Sequence, residues 1–171
     1  MATYKVLNPI AINNDDILLS SATPDYPVGM EACIQKDEDS EASKFIYVKA
    51  HAALTVNQPY AVVEDDATDG EITTASLITL ASAVTLVGVP QIAIASGEFG
   101  WVQVQGVSQA KVDAAITAGH RFEIFTSGSA FTTTGAATKT INTVGMCITA
   151  TTAAATTAVM LAGHRVEVQA T

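Results

Sequence analysis

Bulky apolar residues in this chain recur at every second position within short runs, and no 3.6-residue period persists. The clearest runs are Phe45–Val56, Tyr60–Val63, Val84–Val89, Gln91–Ala95 and Trp101–Gln105. Arg121–Phe125, Thr143–Thr149 and Arg165–Gln169 follow. Turn chemistry separates them, with breaks at Gly97, Gly100, Gly106, Gly119, Gly128, Gly135, Gly145 and Gly163. Many short alternating strands with glycine turns predict an all-β fold, a barrel or sandwich of short antiparallel strands. Helical signals are sparse: Ser108–Ala118 is expected to supply one turn or two, and Thr73–Ala81 reads either way.

The first 43 residues have a different texture. They hold Asn13–Asp16, Pro24, Pro27–Gly29 and the acidic run Lys36–Glu41, with no sustained apolar period. Residues 1–43 therefore read as an irregular, extended acidic N-terminal arm, and residues 44–171 as the β-barrel domain. Such an arm buries little surface alone and is expected to order against the same chain or a neighbour. Its removal is expected to leave the barrel folded.

Charge sharpens this division. Residues 1–71 carry 13 of the 17 acids and 4 of the 8 bases; the remainder carries 4 of each. A net charge of −9 with scattered bases argues against a nucleic-acid partner. Aromatic residues are only 6%, so the core must be built mainly from Val, Ile, Leu and Ala. Cys33 and Cys147 lie too far apart in sequence for a metal or redox motif. The start has no basic segment followed by an apolar run, so no signal peptide is expected. Ile78–Ala95 approaches the length of a membrane span, but Thr79, Ser82, Thr85, Gly88, Pro90 and Gln91 interrupt it. It reads as two buried strands joined near Gly88–Pro90, with no membrane partner.

Candidate chemistry is thin. Asp65–Ile72 resembles the start of a calcium loop, but Ala67 and Ser76 occupy two ligand positions, so it reads as a solvated acidic turn. His51, His120 and His164 stand alone, without metal-ligand spacing. No G-x-S-x-G elbow occurs, and Asp113 is the only Asp after Asp69. The carboxylates Asp37, Glu38, Asp39 and Glu64–Asp66 fall in solvated loops, and no phosphate-cradling loop is present. The expectation is no catalytic residue, no metal and no cofactor.

Two segments stand out. In Gly97–Gly106, Val102 and Val104 point one way, and Trp101, Gln103 and Gln105 the other. The sole Trp, between Gly100 and a strand, reads as a packing anchor; the competing reading is a sugar-stacking platform. Ala118–Ile124 is echoed by Ala162–Val168, each a Gly-His-Arg turn opening a strand with His120 or His164 on the apolar face. Gly97, Gly100, Trp101, Gly119 and Gly163 are thus the expected structural anchors.

The segments Phe45-Ile-Tyr-Val-Lys-Ala-His-Ala-Ala-Leu54 and Val87-Gly-Val-Pro90 through Ile92–Val104, followed by a Gly/Thr/Ala-rich tract, resemble the capsid decoration (cement) proteins of tailed bacteriophages. Order and spacing carry the resemblance, which spans about Lys44 to Val168. It implies a barrel-like homotrimer on the capsid exterior of the virion, made in the host cytoplasm. The implied partner is the major capsid protein, whose subunits it bridges, and no catalysis is implied. The alternative is a carbohydrate-binding β module of a virion or cell-surface adhesin, with Trp101, Tyr60, Phe99 or Phe131 as its platform.

Overall fold

The computed structural model describes residues 5–6, 12, 15–35, 41–65, 71–75, 84–124, 130–133, 144–163 and 166–167. Among them the regular structure is strand, apart from one 3-10 turn at Asp16–Leu18. The strands are β1 (Lys5–Val6), β2 (Ser20–Ser21), β3 (Glu31–Gln35), β4 (Ala42–Ala50), β5 (Tyr60–Asp65), β6 (Glu71–Ala75) and β7 (Val84–Pro90). They continue with β8 (Phe99–Val112), β9 (Arg121–Ile124), β10 (Phe131–Thr133), β11 (Gly145–Cys147), β12 (Ala155–Ala162) and β13 (Val166–Glu167). The fold is all-β, as the alternating pattern predicts.

One pairing scheme occurs twice. In the first unit β4 pairs with β6 in parallel, β6 with β5, β5 with β7 and β7 with β8, all antiparallel, and β8 returns to β4. In the second, β8 pairs with β10 in parallel, β10 with β9, β9 with β11 and β11 with β12, and β12 returns to β8. The two barrel-like units share β8. The whole sheet stays open, because β3 and β1 extend it outward from β4.

The strand connections repeat as well. Leu54 bridges Ile94 in the first unit, and Ile116 bridges Thr151 in the second. Three residues beyond Leu54, Ile94 and Ile116 stand Asn57, Gly97 and Gly119, with φ of 62°, 80° and 82°. Each donates its N–H across to the paired connection or strand end: Asn57 to Pro90, Gly97 to Ala50 and Gly119 to Cys147. At these three corners the backbone is left-handed, which is why Asn or Gly occupies them; the fourth connection, with Ala154 three residues beyond Thr151, turns without one.

Alternation assigns the core. Ile46, Val48 and Ala50 of β4 face Tyr60 and Val62 of β5 and Val102 and Val104 of β8 inside the first unit. Ala110 and Val112 of β8 pack with Phe131, Val144, Cys147, Val159 and Leu161 in the second. Ala61, Val87 and Val89 turn toward that second cluster, so β5 and β7 are buried on both faces. At about 25 cal/mol per Å² of apolar area, this shared packing ties the two units into one cooperative body.

Several boundaries differ from the sequence reading. The expected break at Gly88–Pro90 is the end of β7, and Gly88 lies inside the strand, where an added Cβ would come within 2.7 Å of Val102. Gln91–Ala95 is a connection held by the Ile94 bridge rather than a strand. Gly106 does not stop its strand: β8 runs on to Val112, so the expected helical turns at Ser108–Ala118 are strand and connection. Alternation explains it, since Ser108, Ala110 and Val112 face inward at every second position. The echoed turns lead to different places: Gly119 precedes β9 in the second unit, and Gly163 precedes β13, which pairs with β7.

Candidate functional site

The outer face of the β4–β8 ladder gathers the residues that the sequence singles out. Tyr47 lies opposite Trp101, and Lys49 opposite Phe99. Alternation puts these side chains on the face away from the first core, yet Trp101 is only 1% exposed. Its cover comes from the N-terminal residues. Ile12, Ile17, Ala32 and Ile34 join Phe45, Tyr47, Phe99 and Trp101 in a third apolar cluster, with Tyr26, Val28 and Met30 packed against it.

Aromatic contacts hold this cover. The Tyr26 ring lies 5.4 Å from Trp101 and 5.5 Å from Tyr47, the latter edge-on at 84°. Tyr47 and Trp101 are 5.0 Å apart, and Tyr47 stacks on Phe99 at 6.3 Å. Such offset and edge-to-face pairs each add about 0.5–1.5 kcal/mol beyond the area they bury. Polar bonds fix the strap in register. The Tyr26 hydroxyl donates to the Asp16 carboxylate. The Asp25 N–H donates to the Tyr47 hydroxyl at 3.2 Å, and Ser20 Oγ to Glu98 at 2.7 Å. Burial pushes the Tyr47 phenol above its ordinary 10.0; the Asp25 N–H pulls it down, while the charges of Asp25 and Asp16 push it up.

Trp101 Nε1 is buried with no hydrogen-bond partner among the described residues. Gln103, two positions on, is buried and well served. Its Nε2 reaches Ser43 Oγ at 3.0 Å, the Gln105 carbonyl at 3.2 Å and the Val107 carbonyl at 2.8 Å. It spans a bulge: Lys44 pairs with Gln105 but Phe45 with Gln103, so β8 has one residue more than β4 there. Gly106 follows at φ +90°, with Ala42 and Ser43 so close that an added Cβ would lie within 2.8–3.0 Å of them. Only glycine fits that point. Beyond it β8 parts from β4, opening a groove of about 520 Å³ with Ile17, Ile34 and Phe45 in its lining.

The remaining anchors are dispersed. Gly97 turns the connection into β8 of the first unit, and Gly119 takes in the second unit the corner that Asn57 takes in the first; both glycines have open space around them. Gly100 lies beneath Ile94, and Gly163, at φ +70°, lies against Gln105. The sequence reading did not single out Tyr26, Tyr47, Gln103 or Gly106 as one neighbourhood. The available signal was the glutamine of Trp101-Val-Gln103-Val104, a polar residue placed on the face of the sole tryptophan.

The aromatic platform of the carbohydrate reading does not form from the residues named for it: Trp101, Tyr60, Phe99 and Phe131 are all buried. His120 is exposed rather than on an inner face, and His51 is exposed too. His164 and residues 66–70 of the acidic turn lie outside the described residues. Among the described residues no three His, Cys, Asp or Glu side chains gather as a metal site would require.

No protein-family model and no curated protein matches the chain. Among solved structures, the fold is similar to the N base of the head fiber gp8.5 of bacteriophage phi29. That likeness has a TM-score of 0.49 and 13% sequence identity, and covers 72% of this chain and 97% of that chain.

Proposed function

We propose that this chain is a structural protein of a bacteriophage virion, a decoration protein that binds the outside of the head and bridges major capsid subunits. The observation that carries the reading is where the two resembling segments sit. Phe45–Leu54 and Ile92–Val104 are neighbouring strands and connections, paired from Lys49–Phe99 to Phe45–Gln103 and again at Leu54–Ile94. A resemblance in two stretches far apart in sequence thus falls on one contiguous unit of the fold.

The mechanism is mechanical. Packaged DNA presses outward on the shell, and a rigid multi-subunit clamp raises the cost of separating capsid subunits. Each contact is modest, because several linked contacts act by avidity. Two barrel-like units on one shared strand suit that task, since load entering one unit passes directly through β8 to the other. The working assembly in this reading is a homotrimer without catalytic activity.

The test uses DNA-filled heads of a phage that encodes the chain, prepared without it. Added protein is expected to bind to a fixed number of copies per head and to raise the temperature at which DNA escapes. Heads that bind none of it, or rupture at the same temperature when saturated, would refute the reading. Binding to a glycan array with no binding to heads would favour the carbohydrate module instead.

A further inference from the structure

Hydrogen-bond direction along β8 is set by its neighbours. The Lys111 N–H points away from β12, to the Asn57 carbonyl at 2.8 Å, and the Asp113 N–H to the Phe131 carbonyl at 3.0 Å. On β12 the Ala158 carbonyl, opposite Gln109, is turned away from β8 to accept from Ile148. Antiparallel pairing alternates, so the Val107 and Gln109 N–H groups also point away from β12. They point toward the side on which Gln105 meets Lys44 of β4. β4 ends its contact there, and the next partner along that edge is Asn57, facing Lys111. The gap from Gln105 to Lys111 is six steps of about 3.4 Å, roughly 20 Å. Among the described residues no backbone group meets Val107 N–H or Gln109 N–H.

This gap is the wall of the groove. Its lining mixes apolar with polar residues such as Ser43 and Gln91, and its exposed apolar side chains are Leu18, 39% exposed, and Val107, 43%. Glu41 is the one charged residue among the described lining residues, and the chain as a whole carries −9.

We infer that the groove between β4 and β8 is a strand-addition site for an extended segment of another protein, apolar on one face and carrying a Lys or Arg. Two carbonyls of that segment, two residues apart, accept from Val107 N–H and Gln109 N–H. Its apolar side chains pack on Leu18 and Val107, and its cation meets Glu41. An acidic segment is repelled by Glu41 and by the chain's net charge. The site is argued from the groove alone and does not depend on the capsid reading.

The experiment is an NMR titration of the full chain with Ac-Thr-Val-Lys-Val-Thr-NH2, with hydrogen exchange read at single amides. In the free protein, Val107 and Gln109 amides are expected to exchange fast, and Ser108 and Ala110, bonded to β12, slowly. Peptide is expected to shift and protect Val107 and Gln109 selectively. Replacing its Lys by Glu should weaken binding several-fold. Gln109→Pro removes a donor that β12 does not use, and should weaken binding roughly fivefold to tenfold. Val107→Lys, which leaves the backbone unaltered, should weaken the Lys peptide more than the Glu peptide. Protection of both amides in a free monomer would mean that the chain fills its own groove and would overturn the inference. Protection that grows with protein concentration alongside a dimer mass would assign the groove to a second copy and overturn it too. So would the absence of any shift at these amides, or equal shifts with both peptides.

Discussion

Trp101 shows how much one side chain is asked to do. It fills the centre of the third cluster, and its indole nitrogen has no partner among the described residues. Volume and polarity therefore pull in opposite directions. Trp101→Ala is expected to cost about 3–5 kcal/mol through the cavity it leaves. Trp101→Phe loses less volume and removes a buried donor, so its cost should stay within about 1.5 kcal/mol. Urea unfolding followed by circular dichroism separates the two; equal losses would mean that the nitrogen is satisfied. Tyr47 makes a pH prediction. Its phenol is raised in the folded chain, so above the unfolded value near 10.0 the unfolded state loses protons first. The stability it contributes is intact below that pH and falls as pH rises through the folded value. Tyr47→Phe should flatten the alkaline loss of stability above pH 10.0, measured as urea midpoint against pH. Cys147, raised mainly by burial, acts in the same direction above its ordinary 9.0.

Among the elements, β8 carries the design. It spans 14 residues, pairing with β4 over its first half and β12 over its second, with the change of partner at Gln105 and Gly106. Gly106→Ala meets both a left-handed φ and the backbone of Ala42. Gly97→Ala meets a left-handed φ alone, in open space. The second should cost about 1–2 kcal/mol, and the first about 1–3 kcal/mol more from overpacking. Comparable thermal shifts for the two variants would contradict this account of the crossing point. The N-terminal strap is the other element to test. Its Ile17, Ala32 and Ile34 are buried against Trp101 and Tyr47, so deleting residues 1–43 strips an apolar face instead of freeing a finished barrel. The truncated chain should show red-shifted tryptophan emission and a lower unfolding midpoint. Unchanged emission would mean that the strap covers nothing essential.

For the whole molecule, the repeat of one five-strand scheme about a shared strand makes the two units mechanically continuous. Ala61, Val87 and Val89 carry the packing from one unit into the other. Unfolding should therefore be a single transition, with tryptophan emission, which reports the strap-covered face of the β4–β8 ladder, and backbone circular dichroism losing signal together. Two separated transitions would show that the units are independent. The proposed trimer has an equally direct check. Sedimentation should give three times the 17.7 kDa chain mass, and a monomer at micromolar concentration would count against the clamp.

Period-two alternation was enough to establish the fold class and the opposite facing of Trp101 and Val102, because side-chain direction in a strand is a local property. Glycine marked corners correctly at Gly97 and Gly119, where a positive φ is needed in a turn. The same residue misled at Gly88 and Gly106, where glycine answers a close approach by a distant strand. Nothing local distinguishes these two uses. Pairing partners, the sharing of β8, the strap over the aromatic cluster and the opening between β4 and β8 arise from contacts far apart in sequence. They depend on which surfaces are left to bury once the strands exist, and only the folded chain decides that.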